Sequence, residues 1–367
     1  MVAFRWAESH CLTVGARGWV TEWEPRTPSA RQAPNLAAVD IETTDQSLAG
    51  NQRPNRRFLL VAGGVLAVGF LAATIIGFLG GLWWPFDLAS NFRPHYAVGL
   101  AVAVGLLALA RSWGLALGAF IGLAVNFVLV LPLYLGSPAP AAADSPTLKI
   151  LLFNVTADNE RTDEVIELFE ESDADLIFIF EGSQRWEDAI NRSDLSYELS
   201  PGLHTAFSFA NAILVRQGLE VELRTVRVGP NTPRARELDM VLGQVPIRIL
   251  AVHPPSPTSG RKVASRDEQL AGVAEWAAEQ DRPVVVVGDL NASPWSSSYR
   301  PLAESDLINS LEGFGVQASW PAALGPFGVP IDQLLHSAEL TTVQREIGPS
   351  LGSEHRSVFI TLARAAG

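Results

Sequence analysis

Hydrophobic and polar positions divide the chain into three textures, and the first has no period at all. Residues 1–57 mix Pro, Gly, Thr and Gln without a sustained apolar repeat, which predicts a disordered N-terminal tail. No apolar stretch follows the first residues, so the start does not read as a signal peptide. From Phe58 to about Trp84 there is no charged residue, a run long enough to span a bilayer. Trp83-Trp84-Pro85 mark a membrane–water boundary, where amphipathic aromatic rings settle. A second apolar run over about 96–110 is short for a crossing. A third covers 113–135, with Arg111 in a tight connection between the two. Helices buried in a soluble core would need amphipathic neighbours, and none flank these runs. Three transmembrane helices are predicted within 58–136, at about 58–84, 96–110 and 113–135.

The Lys/Arg bias sets an expected orientation. Arg53, Arg56 and Arg57 precede the first run, Arg111 falls on the same side after two crossings, and the other loop holds only Arg93. The N-terminus is then cytoplasmic, and three crossings deliver the rest of the chain outside the cytoplasm. A middle run that does not cross reverses this.

The third texture follows a linker of small residues and prolines over 137–147 and fills 148–367, where short strands alternate with helices. Residues 148–153 read as a strand ending at Asn154. Residues 162–171, apolar at Val165, Ile166, Leu168 and Phe169, read as an amphipathic helix. A second strand over 174–180 ends at Glu181. Further strands are expected at 212–215, 237–242 and 247–252, the last ending at His253, and a helix at 266–278. Val284-Val285-Val286-Val287 reads as a strand buried on both faces. Gly288 would let the backbone turn, and Asp289 and Asn291, two apart, would point the same way. Ser293 and Pro294 stop the strand. Ile331-Asp332 leads into an apolar pair at 334–335, and 358–362 closes the sheet just after His355.

Charge and cysteine content narrow the chemistry. From Lys149 onward 18 Lys and Arg stand against 31 Asp and Glu. An acidic domain repels polyanions unless metal ions neutralise its site, which argues against a dedicated nucleic-acid-binding protein but not against a metal-dependent phosphoesterase. Cys11 is the only cysteine, so there is no internal disulfide and no cysteine-based metal site.

Asn154, Glu181, His253, Asp289 and Asn291 each fall at the C-terminal edge of an expected strand, with Asp332 and His355 beside later ones. A sheet fixes the relative positions of its strand ends, which is where layered folds collect sites. The set suits metal-assisted phosphoester hydrolysis. Glu181 offers a hard oxygen for Mg²⁺, with Mn²⁺ as a substitute, and Asn154 either orients that carboxylate or ligates through its carbonyl. Asp289 suits an attacking water and Asn291 a phosphoryl oxygen. His355, paired to Asp332, suits the phosphate, and His253 offers a second donor. An Asp and an Asn after one strand are common, so the weight lies in five such residues at four boundaries.

These residues resemble the endonuclease/exonuclease/phosphatase superfamily, the deoxyribonuclease-I-like metal-dependent phosphoesterases, over roughly 149–363. The carriers are Phe153-Asn154, Phe180-Glu181, Asn211-Ala212-Ile213-Leu214, Val252-His253, Gly288-Asp289-Leu290-Asn291-Ala292-Ser293-Pro294, Ile331-Asp332 and Gly352-Ser353-Glu354-His355-Arg356. The resemblance implies an α/β two-sheet, four-layer sandwich with helices outside and the site at one end. It implies Glu181 as the main metal ligand assisted by Asn154, Asp289 and Asn291 serving the water and transition state, Asp332 orienting His355, and His253 on the phosphate. Two departures stand out. Glu354 replaces the usual Asp of Ser-Asp-His, so a second metal contact there is open. Gln333 follows Asp332 where a His is frequent, which should alter substrate contacts.

The resulting expectation is a membrane-anchored, Mg²⁺-dependent phosphoesterase acting on a lipid or small phosphoester, its catalytic domain extracytoplasmic, with no protein partner inferred. The rivals are an extracytoplasmic nuclease acting on DNA and an inactive membrane-bound binding module. An inactive relative should have lost the metal carboxylate or the histidine, and both Glu181 and His355 are present. His204 and His336, without motifs, read as structural. Trp320-Pro321 and Phe327 read as a substrate rim or as loop packing. Arg224, Arg227, Arg234 and Arg236 read as a solvated surface or as contacts to anionic headgroups.

Overall fold

The apolar runs fold into helices packed through their smallest residues. The computed structural model describes residues 55–136, 138–200 and 212–366. The expected tail up to residue 54, with Arg53, and also His204 and Asn211, lie outside the described residues. α1 (Arg56–Phe78), α2 (Trp84–Ser90), α3 (Arg93–Leu109), α4 (Trp113–Val130) and the single turn α5 (Pro132–Leu135) follow one another. Gly63 lies against Leu107, Gly99 against the Phe70 ring and Gly122 against Leu71, while Ala103, Ala116 and Ala119 are buried between helices. Large apolar side chains such as Phe58, Val65, Ile75, Trp113, Phe120 and Ile121 point outward. Small residues inside and large ones outside is how helices pack in lipid, where close backbone approach replaces the hydrophobic drive.

α1 and α4 are long and apolar enough to cross a membrane, and α2 with α3, bent at 64°, makes a third if the pair is one span. The first run does not continue to Trp84 as expected. It stops at Phe78 ahead of Gly80-Gly81, poor helix formers, and Trp84 opens α2 with Pro85 in its first turn. α3 begins at Arg93, ahead of the expected start, with Pro94 in its first turn, and the Arg93 guanidinium is buried. Arg93 donates to Thr74 O (3.0 Å) and lies 4.1 Å over the Phe78 ring.

The remaining elements are β1 (Thr147–Asn154), α6 (Thr162–Glu171), β2 (Leu176–Phe180), α7 (Gln184–Arg192), β3 (Tyr197–Leu199), β4 (Ala212–Arg216), β5 (Glu222–Arg227), β6 (Arg234–Leu242), β7 (Val245–Ala251), α8 (Gly260–Ala278), β8 (Val284–Asp289), α9 (Arg300–Ala303), β9 (Ile308–Asn309), β10 (Asp332–His336), β11 (Leu340–Ile347) and β12 (Val358–Arg364). They form two six-stranded sheets, ordered β11-β12-β1-β2-β4-β3 and β5-β6-β7-β8-β10-β9. Each sheet is mixed, with β1 parallel to β2 in one and β7 parallel to β8 in the other.

Alternation along the central strands builds the layers. Ile150 and Leu152 of β1 face Val285 and Val287 of β8 in the core between the sheets. Leu151 and Phe153 instead meet Val165 and Phe169 of α6 and Trp186 of α7 on one outer face. Val286 meets Leu270 and Val273 of α8 on the other. The four layers are therefore helix, sheet, sheet, helix, and the four valines are buried on both faces as their sequence requires.

Residues 138–142 do not hang free between helices and sheets. Ala366 N donates to Pro140 O (2.8 Å), Ala142 N to Arg364 O (2.9 Å) and Thr341 Oγ1 to Ala139 O (2.6 Å). Leu133 O accepts from Gly313 N (2.9 Å) and Gly315 N (2.7 Å). Three of the arginines of β5 and β6 are engaged locally: Arg224 pairs with Glu237 and Asp239 of β6, Arg227 donates to Thr232 O in the connecting loop, and Arg236 to Thr225 Oγ1 of β5.

Candidate active site

The ends of the central strands of both sheets meet at one edge of the sandwich. β1 delivers Asn154, β2 delivers Glu181 as its next residue, β7 leads to His253, β8 ends on Asp289 and β10 begins on Asp332. Asp332 stands opposite Asp289 in the antiparallel β8–β10 pair. His355 enters from the loop before β12.

Asn154 joins the two sheets at this edge. Its Nδ2 donates to Glu181 Oε1 and to Asp289 Oδ2, both at 3.0 Å, while its oxygen accepts from Thr156 N at 3.1 Å. The amide thus presents nitrogen, not oxygen, to the carboxylates. His253 Nε2 lies 3.5 Å from Asp289 Oδ2 and 3.7 Å from Glu181 Oε1. His355 Nδ1 is 2.9 Å from Asp332 Oδ2, and its Nε2 is 3.7 Å from Asp289 Oδ2. Seven of the eight residues expected at the site are thereby gathered. Glu354 is not: its side chain is exposed, and only its backbone takes part, N–H on Thr156 Oγ1 and C=O accepting from Ala322 N.

Asn291 reaches the site by a different route from the one its spacing implied. β8 ends at Asp289, and Asn291 adopts φ +50°, so the two residues do not alternate along a strand. Asn291 N instead donates to Asp289 Oδ1 (3.0 Å), a turn closed by the aspartate side chain. Asn291 Nδ2 donates to Pro254 O (3.0 Å), which fixes the amide and leaves its second N–H for another acceptor. Glu181 (φ +54°) and Thr156 (φ +60°) share this left-handed backbone, which costs a residue with a Cβ about 1–2 kcal/mol. Such conformations collect where geometry is set by function.

Gly288 does not turn the chain; it stays in β8, paired with Gln333. A Cβ there would overlap the carbonyl oxygen of Val252, so the glycine permits close approach of β7 and β8 just before His253. Gln333 points away from the site, is fully buried, and donates to Ala292 O (2.7 Å) and Pro330 O (3.2 Å). It braces the loop after β8 rather than meeting substrate.

Burial by itself disfavours charge on Asp289, Asp332 and His355, and the pairing decides the outcome. Burial would raise the Asp289 pKa, but the neighbouring His355 and His253 and the amide of Asn154 hold it well below the usual carboxylate range. Burial also works against a charged His355, yet Asp332 and Asp289 outweigh it and lift its pKa to about 9. Asp332 is pushed up by burial and by the charge of Asp289. His355 is therefore cationic at neutral pH, held between the buried carboxyl groups of Asp332 and Asp289.

Several supporting residues complete the site, and of these Ser319 and Arg345 carry no signature in the sequence. Ser353 Oγ donates to Asn154 O (2.6 Å) and accepts from His355 N (2.9 Å), tying β1 to the histidine loop. Ser319 Oγ accepts from Asp332 N (3.2 Å), and Arg345 donates to Asp332 O (3.0 Å). Serines in loops are too common to stand out before the fold is known.

Two groups of donors have ligand atoms within 4.8 Å of one another: Glu181 with His253 and Asp289, and Asp289 with Asp332 and His355. In the second, the His355 cation already serves as counter-charge to the carboxylates. The first combines two hard carboxylates with a Glu181 side chain 38% open to water, which fits a divalent cation that keeps part of its hydration shell.

Comparison with known proteins agrees with this geometry. The sequence profile of the Endonuclease/Exonuclease/phosphatase family matches residues 148–355. No curated protein matches the chain in sequence. Among solved structures, truncated Caenorhabditis elegans TDP2 is similar at TM-score 0.50 and 17% identity, over 60% of this chain and 98% of that one. D. rerio TDP2, solved with a single-strand DNA product, is similar at TM-score 0.50 and 16% identity, over 59% and 98%. An endonuclease/exonuclease/phosphatase from Bacteroides vulgatus gives TM-score 0.50 and 15% identity, over 59% and 99%. At these identities the structures speak for the fold, and the profile, spanning more than half the chain, speaks for ancestry. The chain belongs to the endonuclease/exonuclease/phosphatase family, and its chemistry is that of a metal-dependent hydrolase of phosphoester bonds.

Proposed function

We propose that the protein is a membrane-anchored, Mg²⁺-dependent phosphoesterase whose substrate is a phosphoester presented at the bilayer surface. One observation carries the substrate reading. The loop over 321–328 starts beside Trp320, whose ring stands 6.5 Å from that of His355, and ends where His95 Nε2 donates to Phe327 O at 2.7 Å. His95 lies in the first turn of α3. The rim of the site thus adjoins the helical bundle, and it does so with Leu324 and Phe327 turned outward, Phe327 68% exposed. An apolar rim beside apolar helices favours a substrate with a lipid body over a free polyanion.

Glu181 would hold the cation, with Asp289 beside it and Asn154 orienting both carboxylates. When bound, the cation neutralises phosphoryl charge and lowers the pKa of water. Asp289, ionised, accepts a proton from the attacking water. Asn291 donates its remaining amide hydrogen to a phosphoryl oxygen. His355, protonated and held by Asp332, donates to the phosphate from the opposite side, and His253 donates from β7. For orientation, Arg56 and Arg111 lie at the bundle end where Arg56 Nε donates to Ala110 O (2.8 Å), opposite the end that carries the catalytic domain. By the positive-inside rule this supports an extracytoplasmic site.

The test is hydrolysis by the full chain in lipid nanodiscs, with Mg²⁺ and with chelator. The substrates are vesicle phospholipids, soluble bis(4-nitrophenyl) phosphate, and single-stranded and duplex DNA. Leu324→Ser with Phe327→Ser is expected to slow turnover of the vesicle lipid about tenfold, the worth of one large apolar contact, and to spare the soluble diester. DNA cleaved faster than every other substrate would replace this reading with that of a nuclease.

A further inference from the structure

Asp87 is the only carboxylate in the membrane region described, and it is 2% exposed. It sits in α2, at the boundary marked by the paired tryptophans, yet its partners all lie in the catalytic domain or on its own turn. Its Oδ1 accepts from Ser297 N (2.6 Å) and Ser297 Oγ (2.8 Å), and its Oδ2 from Ser296 Oγ (2.7 Å) and Arg266 Nη2 (3.3 Å). Arg266, on α8, is 1% exposed. It also donates to Ser298 Oγ, to Asp267 Oδ1 (3.1 Å) and, through Nη1, to Asn291 O at 3.0 Å.

Two further contacts reach the same loop from the helices. Asn91, just past α2, accepts from Ser293 N through its Oδ1 at 3.1 Å. Trp295 Nε1 donates to Leu129 O at 3.0 Å, near the end of α4. The loop over 289–298 leaves β8 with Asp289, holds Asn291 in a left-handed conformation, and is then fastened three times to the membrane region. From Asp87 the path to the site is short: Arg266, the Asn291 carbonyl, and Asn291 N on Asp289 Oδ1 (3.0 Å).

We infer that Asp87 and Asn91 are positioning residues for the loop that carries Asn291, so that the membrane helices complete the active site as well as anchoring it. This rests on the reading of Asn291 as the donor to the phosphoryl oxygen. Asp87 supplies the only buried counter-charge to Arg266 among the described residues, since Asp267 is largely open to water. Without it the guanidinium has no reason to stay against the Asn291 carbonyl, and a buried charge deprived of its partner moves toward water. Without Asn91 the loop loses the acceptor that fixes its backbone at Ser293. Neither residue touches the reacting atoms. Their effect is on where Asn291 stands, and a displacement of about 1 Å in such a group is worth up to a hundredfold in rate.

The experiment uses the full chain in nanodiscs and two readouts. Hydrogen–deuterium exchange follows peptides covering 289–298, with 284–288 and 332–336 as internal references. Mg²⁺-dependent hydrolysis of bis(4-nitrophenyl) phosphate gives kcat and KM. Asp87→Asn and Asn91→Ala should each speed exchange in 289–298 about tenfold and leave the reference strands unchanged, the mark of a local opening. Both should lower kcat about tenfold or more with KM held within about twofold, and Asn91→Asp, which keeps the acceptor oxygen, should restore both readouts. Unchanged exchange in 289–298, or exchange that rises equally throughout the domain, overturns the inference. A wild-type chain without metal-dependent turnover would sink the phosphoesterase reading instead, and exchange would still decide the positioning one.

Discussion

Asp289 and Asp332 stand directly opposite one another on neighbouring antiparallel strands, each only 1% exposed. Two buried like charges at that spacing repel, and the sheet tolerates them because His355 reaches both, Nδ1 to Asp332 and Nε2 to Asp289. The histidine is thus a structural counter-ion as well as a proposed catalytic group.

Removing it should therefore cost stability as well as rate. His355→Ala is expected to destabilise the protein by about 3–5 kcal/mol, the usual consequence of deleting one partner of a buried charge set. It should also slow hydrolysis at least about a hundredfold. Thermal unfolding and steady-state kinetics on the same preparation check both. Unchanged stability would mean that the carboxylates share their proton without help.

Metal affinity would separate the proposed ligand, Glu181, from the residue proposed to orient it, Asn154. With Mn²⁺ as a spectroscopic probe, Glu181→Gln should abolish binding at the site. Asn154→Ala removes the shared donor to Glu181 and Asp289 and should weaken binding about 10- to 100-fold. Equal losses in the two variants would make Asn154 a ligand in its own right.

Outside the site, His336 gives a pH signature with a definite sign. It is buried in β10, with Nδ1 against Ser337 O and Nε2 against Thr342 Oγ1, and burial lowers its pKa from the ordinary 6.5. The unfolded chain then binds its proton more readily than the folded one. The stability it contributes is complete above pH 6.5 and is lost as pH falls below that toward the depressed folded value. Denaturation midpoints measured from pH 8 down to 5 should fall less steeply in His336→Gln than in the wild type.

Gly288→Ala tests the close approach of β7 and β8. The added methyl group meets the Val252 carbonyl, which has no room to retreat inside a paired sheet. A loss of about 1–3 kcal/mol is expected from such overpacking, read as a lower unfolding midpoint. A neutral effect would show that the two strands can separate without cost.

The parts of this molecule legible in its sequence were those governed by burial. Val284 to Val287 announce a strand covered on both faces, and the ends of such runs point to Asn154, Glu181, His253 and Asp289 from the sequence alone. The exposed edges were not legible. β5 carries Glu222, Arg224 and Arg227, and Arg224 pairs across to Glu237 and Asp239 of β6, so no apolar alternation marks it as a strand. β11 is similarly rich in Thr, Gln and Arg. At the site, spacing misled at Asn291, because a side-chain-closed turn replaces the strand geometry that a two-residue interval suggests. Asp87 was the most informative omission. A single acid in an apolar segment has no period to reveal it, and its meaning depends on Arg266, 179 residues away.

The short segment between helices and sandwich has a kinetic consequence. Pinned at Ala139, Pro140 and Ala142 to the last strands, and at Leu133 to the loop near Gly315, it gives the domain no radius of swing. With the helices in a bilayer and a lipid substrate, as proposed, a hydrolase held at one height over the leaflet would meet its substrate by lateral diffusion. Its turnover would then follow the mole fraction of substrate in the surrounding membrane, saturating in two dimensions, and adding more vesicles at constant composition would leave the rate unchanged.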